Sequence, residues 1–319
     1  MQKYLFLIFI VAQLMSCKKS LKKDIDVSAI PVQITMQRFE TDFYTASKKD
    51  LPKLKKKYPL LFPNKVADSV WVNKINNKDE QELFNETQKA FKNISDVKEQ
   101  LTLLFKHIKY YNSNFKSPKV ITLITDIDYD NRVVYADSLL LISLDAYLGE
   151  HHKFYSDFPQ YIKQNNTKQH LIVDVAKKII DKQLPPNRAR TFLNKMIYEG
   201  KKMYLLDAYL PTVSDKEKMG CTLEKLNWAQ NSEEEIWKYF IENQLLYSTN
   251  SKLNQRFIDV APFSKFYLEQ DNLSPGQIGV YIGWQIVRSY MQNNTVSLPQ
   301  MLQTSEEEIF KKSRYKPRR

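Results

Sequence analysis

The chain has 319 residues, 43% hydrophobic and 26% charged, enough for a sizeable core in one large unit or two smaller ones. Its six glycines, and the absence of GxGxxG and GxxxxGK[ST], exclude chemistry built on glycine-rich phosphate loops. Two cysteines exclude a disulfide scaffold, four histidines leave little material for a zinc site, and the net charge of +12 is concentrated at the chain ends.

The chain opens with Lys3 and an apolar run from Tyr4 to Leu14. As a helix this run spans about 16 Å, too short for a hydrocarbon core of about 30 Å. A basic residue ahead of a short apolar stretch is the layout of a secretory signal, assigned here to residues 1–16. The tetrad Leu14-Met15-Ser16-Cys17 resembles the bacterial lipobox, which implies that Cys17 is acylated and becomes the first mature residue. Several acyl chains would hold such a protein on a membrane surface without spanning it. Residues 17–30 then read as the lipid anchor and a polar tether, and residues 31–319 as a single globular α+β domain ending in a basic tail.

Placing the body outside the cytoplasm removes nucleic acid as a partner, and the charge distribution agrees. Lys3, the four lysines of Lys18 to Lys23 and the six basic residues from Lys311 to Arg319 leave only +1 for Asp24 to Phe310. Two readings of the terminal basicity stand side by side: a solvated tether, or attraction to anionic headgroups.

Along the body, Val32 to Phe39 alternates like a strand, Glu40 to Ser47 reads as helical, and Lys48 to Lys57 reads as a solvated face. Helices are predicted at about Asp79 to Ile94 and Ser95 to Tyr111, the second with Val97, Leu101, Leu104, Phe105 and Ile108 on one apolar face. Lys119 to Asp126 and Asp137 to Leu144 are β-rich runs, with Asp126, Asp128 and Asp130 in a turn between them. That acidic triplet lacks the Gly and Glu of a calcium loop. The remainder reads mainly as helix: His170 to Leu184, Arg188 to Tyr209, one opened by a Ser232/Glu235 capping box, and one opened by Ser274-Pro275. Strands in the middle with helices on both sides predict α+β, mostly helical around a small central sheet.

In the helix from His170, Leu171, Ile172, Val175, Ile179 and Ile180 form the buried face, while Asp174, Lys177, Lys178 and Asp181 recur on the other. His170 and Asp174, four apart, form a candidate metal pair, read preferentially as a capping or surface pair. Gly200 sits mid-helix, where glycine costs about 1 kcal/mol relative to alanine, and this predicts close approach by another backbone. Gly279 and Gly283 share a helix face and predict the same. Cys221, the only mature thiol besides Cys17, reads as a packed side chain, and adjacent His151 and His152 point different ways. No GxSxG elbow occurs.

The segment VAKKIID followed by Glu199 in YEGKKMYLLD resembles a worn HExxH…E pattern of zincin-type metallopeptidases. In that register Lys177 holds the first histidine position, Lys178 the glutamate position and Asp181 the second histidine position; Glu199 keeps the third-ligand type. A protonated lysine neither ligates nor tolerates Zn²⁺, so this degenerate pocket predicts no metal, no cofactor and no catalytic residue. The segments Ile142 to Tyr155, Asp157 to Ile162, Met196 to Pro211 and Ser274 to Met291 together resemble the GldB gliding-motility lipoprotein family of the Bacteroidetes. The resemblance implies a zincin-like fold that has lost its ligand set. It also implies an outer-membrane lipoprotein needed for gliding, whose partners are envelope proteins of the gliding and type IX secretion machinery. KKSLKK after Cys17 lacks an acidic export cluster and favours a periplasm-facing body. A cell-envelope hydrolase and a lipid- or glycan-binding module are the competing readings, and the sequence sets no oligomeric state.

Overall fold

In a computed structural model, residues 25–136 and 138–319 are described. The segment 1–16 expected to be a signal, Cys17 and Lys18 to Lys23 lie outside the described residues. Strand β1 (Met36–Arg38) leads into helices α1 (Phe39–Tyr44), α2 (Leu51–Lys57), α3 (Asp68–Asn76), α4 (Lys78–Ala90) and α5 (Ser95–Tyr111). Strands β2 (Lys119–Leu123), β3 (Val133–Ala136) and β4 (Leu139–Ser143) follow. After α6 (Gln160–Lys163) come the long helices α7 (Lys168–Gln183) and α8 (Phe192–Tyr209), then α9 (Asp215–Met219), α10 (Leu223–Asn231), α11 (Glu233–Glu242) and α12 (Lys252–Phe257). The chain closes with α13 (Ile278–Asn293), α14 (Leu298–Gln303) and α15 (Glu306–Ser313). Among the described residues, no helix is long and apolar enough to cross a membrane.

The sheet has order β1-β2-β4-β3. β1 and β4 flank β2 in parallel, with Val120 opposite both Met36 and Leu140, and β3 runs antiparallel along the outer edge of β4. Successive side chains of β2 point to opposite faces, and both faces are covered. Val120, with Leu140 and Ile142, joins the large core of α5, α7, α8 and α13; Ile121 joins a second core built on Phe43, Leu51, Tyr58, Phe62 and Phe84. The α+β expectation of a mostly helical chain around a small sheet therefore stands. Strand β3 escaped the sequence reading because four residues are too few to display alternation. β1 is shorter than its alternating pattern: its register with β2 covers Met36–Arg38, Thr35 accepts the Val120 N–H just before it, and further upstream the Ser28 and Pro31 carbonyls accept from Lys106 and Lys109 of α5.

Close helix packing centres on glycine. A Cβ on Gly200 would lie 2.3 Å from the backbone of Gly283, and one on Gly283 would lie 1.7 Å from the Met196 carbonyl oxygen. α8 and α13 touch backbone to backbone here, as the mid-helix glycines predicted.

Three local expectations change. Ser232 makes no side-chain cap; its backbone continues the turn from α10 to α11, and the buried neighbour Glu233 is the residue that acquires partners. α13 starts at Ile278, not at Pro275, because the Ile278 N–H donates to the hydroxyl of Ser264, fourteen residues upstream. Ser274 is buried and receives the Ser264 N–H. The basic tail is docked: the Tyr315 hydroxyl donates to Glu233 at 2.8 Å, the Arg318 N–H reaches the same oxygen, and Tyr315 meets Trp237 edge-on. The charged side chains of Lys311, Lys312, Arg314, Lys316, Arg318 and Arg319 stay exposed around that docked backbone.

At the carboxyl ends of β2 and β4, Asp145 is fully buried and accepts the N–H groups of Thr125 and Ile127. Asp126 and Ile127 both adopt φ 59°, a conformation costly for a β-branched residue, and the Asp145 carboxylate holds them there. Burial pushes this carboxyl up to about 6, against the downward pull of those two N–H donors. The folded chain thus keeps a proton that the unfolded chain releases near pH 4. Stability from this group is complete below that pH and is lost as pH rises through about 6. Asp145→Asn should flatten the stability profile between these limits. A carboxyl resonance titrating near pH 4 in the wild-type protein would contradict the assignment.

Candidate functional site

The polar stripe of α7 carries His170, Asp174, Lys177 and Asp181, spaced so that all four project from one side of the helix. Thr167 starts α7 by accepting the His170 N–H, and Thr191 starts α8 by accepting the Asn194 N–H. These two caps place the start of each helix away from the positions predicted by periodicity. The hairpin through Pro185-Pro186 then lays α8 against α7.

The first half of the stripe is buried too, although it lies opposite the face that periodicity marks as buried. Arg132, just before β3, grips Asp174 with two nitrogens at 2.9 and 3.0 Å, and the Tyr147 hydroxyl donates to the same carboxylate at 2.9 Å. His170, 1% exposed, stands between Glu217 of α9 at 2.8 Å and Asp174 at 3.4 Å. The strand hairpin and α9 cover this side of the helix, so His170 and Asp174 are not a surface pair. Burial pushes the Asp174 carboxyl up, but the adjoining His170 and the Arg132 guanidinium outweigh it and hold the group well below the usual carboxylate range. The Arg132 guanidinium also lies 4.5 Å from the Tyr129 ring centre.

Further along the stripe the exposure rises. Lys177 is half-buried, and desolvation pulls its ammonium below the ordinary lysine value despite the nearby Asp174. Lys178 is exposed and takes no part. Asp181 and Glu199 are brought together by a residue the sequence reading passed over: Lys202 of α8 contacts Asp181 at 3.1 Å and Glu199 at 3.2 Å. Its ammonium also sits 5.1 Å from the Tyr198 ring centre. Burial raises the Glu199 carboxyl, partly offset by Lys202. A legible signal existed, since Glu199 and Lys202 are three apart on one helix. Arg132, Tyr147 and Glu217 gave no such signal because they arrive from distant elements.

The zincin-like positions Lys177, Lys178, Asp181 and Glu199 all lie on α7 and α8. Two positions of the set are lysines, and the two remaining carboxylates already share the ammonium of Lys202. Among the described residues, no group of three His, Cys, Asp or Glu side chains is placed to hold a metal ion. The donor set does not fit zinc. Burial pushes the Cys221 thiol up to about 11, so it stays protonated at neutral pH and behaves as a packing residue.

Beside the stripe a cleft of about 410 Å³ runs between α5, α7 and the loop after α8, walled by Leu103, Leu104, Ile172, Tyr209 and Val213, with Glu217 at one edge. On the other side of α8, Asp207 receives Arg288 at 2.7 Å, Lys218 at 2.8 Å and the Trp284 indole N–H at 2.8 Å. Arg288 also grips Asp215 and stacks on Trp284. Asp174 and Asp207 are thus each matched by cations from other elements, an arrangement that fixes those elements relative to one another.

No curated protein and no solved structure matches the chain. The family model described as Gliding motility protein GldB matches residues 20–317, nearly all of the sequence that carries these networks. The chain belongs to the GldB gliding motility protein family.

Proposed function

We propose that the protein is a lipid-anchored component of the cell envelope that serves gliding through protein contacts and not through catalysis. Acylated Cys17 holds it on the outer membrane, the body faces the periplasm, and its partners belong to the gliding and type IX secretion machinery. The observation that carries the non-catalytic reading is Lys202, whose ammonium occupies the space between Asp181 and Glu199 where a metallopeptidase would need an ion. In this reading the fold descends from a zincin-like ancestor. Support comes from α7 lying against antiparallel edge strand β3 while pairing with α8, which carries Glu199.

The test uses the mature chain, extracted in detergent and dialysed, with zinc measured by elemental analysis beside a chelator-treated control. The expected result is no stoichiometric zinc, with Glu199→Gln restoring gliding to a deletion strain. Stoichiometric zinc, together with a Glu199→Gln protein that is folded and abundant but does not support gliding, overturns the reading and favours a peptidase.

A further inference from the structure

The segment between α12 and α13 presents apolar side chains to solvent on a stiff backbone. Tyr267 is 75% exposed and Leu268 62% exposed. Their N–H groups both donate to the Asp271 carboxylate, at 2.8 and 3.2 Å. Tyr267 adopts φ 68°, a left-handed conformation that an aromatic residue holds only when its surroundings impose it. Arg256 supplies part of that imposition. Its guanidinium lies 4.5 Å from the Tyr267 ring centre and 4.6 Å from that of Phe257, and it donates to the Lys265 carbonyl and the Tyr239 hydroxyl. The Tyr239 hydroxyl in turn donates to the Phe266 carbonyl.

Leu268 forms one side of a groove of about 370 Å³ whose other walls include Trp228, Ile236, Tyr239 and Phe266. Charge around it is one-sided: Glu235, Glu242 and Asp271 line the groove against a single basic residue, Lys238. The body from Asp24 to Phe310 carries only +1, so this acidity is concentrated locally. Rigid, exposed apolar anchors beside an aromatic groove are costly in isolation, and they lower the ordering cost of association.

We propose that this groove docks a segment of another envelope protein in which an apolar anchor is flanked by Lys or Arg. The anchor packs against Trp228, Phe266 and Leu268, and the basic residues meet Glu235, Glu242 and Asp271. The proposal rests on the reading that the protein works through contacts, and it names the surface and the chemistry of the partner.

The experiment places a photo-reactive residue at Leu268 of the full chain in a gliding host, with separate strains carrying it at the exposed positions Leu60 and Leu103. The expected result is a protein adduct from Leu268 whose cross-linked peptide has an apolar residue flanked by Lys or Arg. Combining Glu235→Lys and Glu242→Lys should reduce that adduct by roughly tenfold or more, because like charges then face each other across the interface. Both glutamates are exposed, so the reversal leaves the core untouched. Protein adducts from Leu60 or Leu103 alone overturn the surface while leaving the contact reading intact. A lipid adduct at Leu268, a cross-linked peptide without basic residues, or an adduct indifferent to charge reversal overturns the docking chemistry. No protein adduct from any of the three positions counts against both the surface and the contact reading.

Discussion

Replacing Gly283 with alanine is expected to cost at least about 3 kcal/mol, the upper end of the usual overpacking range. The new methyl would lie 1.7 Å from the carbonyl oxygen and 2.3 Å from the carbonyl carbon of Met196, both backbone atoms of a helix that cannot step aside. Relief requires α8 and α13 to separate, and that would open the core around Met196, Ile197, Ile282 and Ile286. For a domain whose whole stability is typically about 5–15 kcal/mol, such a loss is a large fraction. Gly200→Ala should behave alike, since its Cβ meets the Gly283 backbone at 2.3 Å. Because the two sites share one contact, the double variant should cost less than the sum of the singles. Urea unfolding midpoints decide the matter: a Gly283→Ala midpoint within error of wild type would show that the helices do not meet in this way.

Asp174→Ala should cost about 3–5 kcal/mol, the range for breaking one side of a buried ion pair. The loss comes from what remains: Arg132 stays buried beside Tyr129 and Tyr147 with no carboxylate, and the Tyr147 hydroxyl loses its acceptor. Replacing both charges together, Asp174→Leu with Arg132→Met, should be much milder, because no uncompensated charge is left behind. The same pair predicts a pH dependence. The folded Asp174 carboxyl is held well below its ordinary value, so the folded chain binds fewer protons than the unfolded one. Its contribution is complete above the ordinary carboxylate range near pH 4 and drains away as pH falls from there toward the folded value. Unfolding at neutral and acidic pH should therefore show the wild-type advantage over the double variant shrinking in acid. An unchanged advantage would remove Asp174 as its source.

The sequence reading and the fold part company at identifiable residues. Ser95–Tyr111 is read with both ends correct because its apolar spacing and its polar flanks agree. Periodicity starts the helix after Pro186 four residues early, at Arg188, since its start is decided by the Thr191 hydroxyl and not by the periodic pattern that runs through it. The α7 stripe shows the same limit more sharply. Spacing puts Asp174 and Asp181 on one side, as the structure has them; it cannot show that Arg132 and Tyr147 cover Asp174, and Glu217 covers His170, while Asp181 stays exposed.

What the sequence by itself determined is everything carried by local or ordered signals. These are the mostly helical α+β class, the two β-rich runs, the helix-to-helix contact announced by mid-helix glycines, and membership of the GldB gliding motility family. What only the tertiary structure decided is which polar groups meet. Lys202 takes the place between Asp181 and Glu199, Arg288 joins Asp207 to Asp215, the basic tail seals Glu233, and Arg256 stiffens the loop that displays Tyr267 and Leu268. The reason is physical. Periodicity reports the side of an element on which a residue lies, through the burial of its apolar neighbours. The partner of a buried charge is set by which distant element arrives opposite it, because a charge taken out of water must find its counter-charge wherever the fold supplies one.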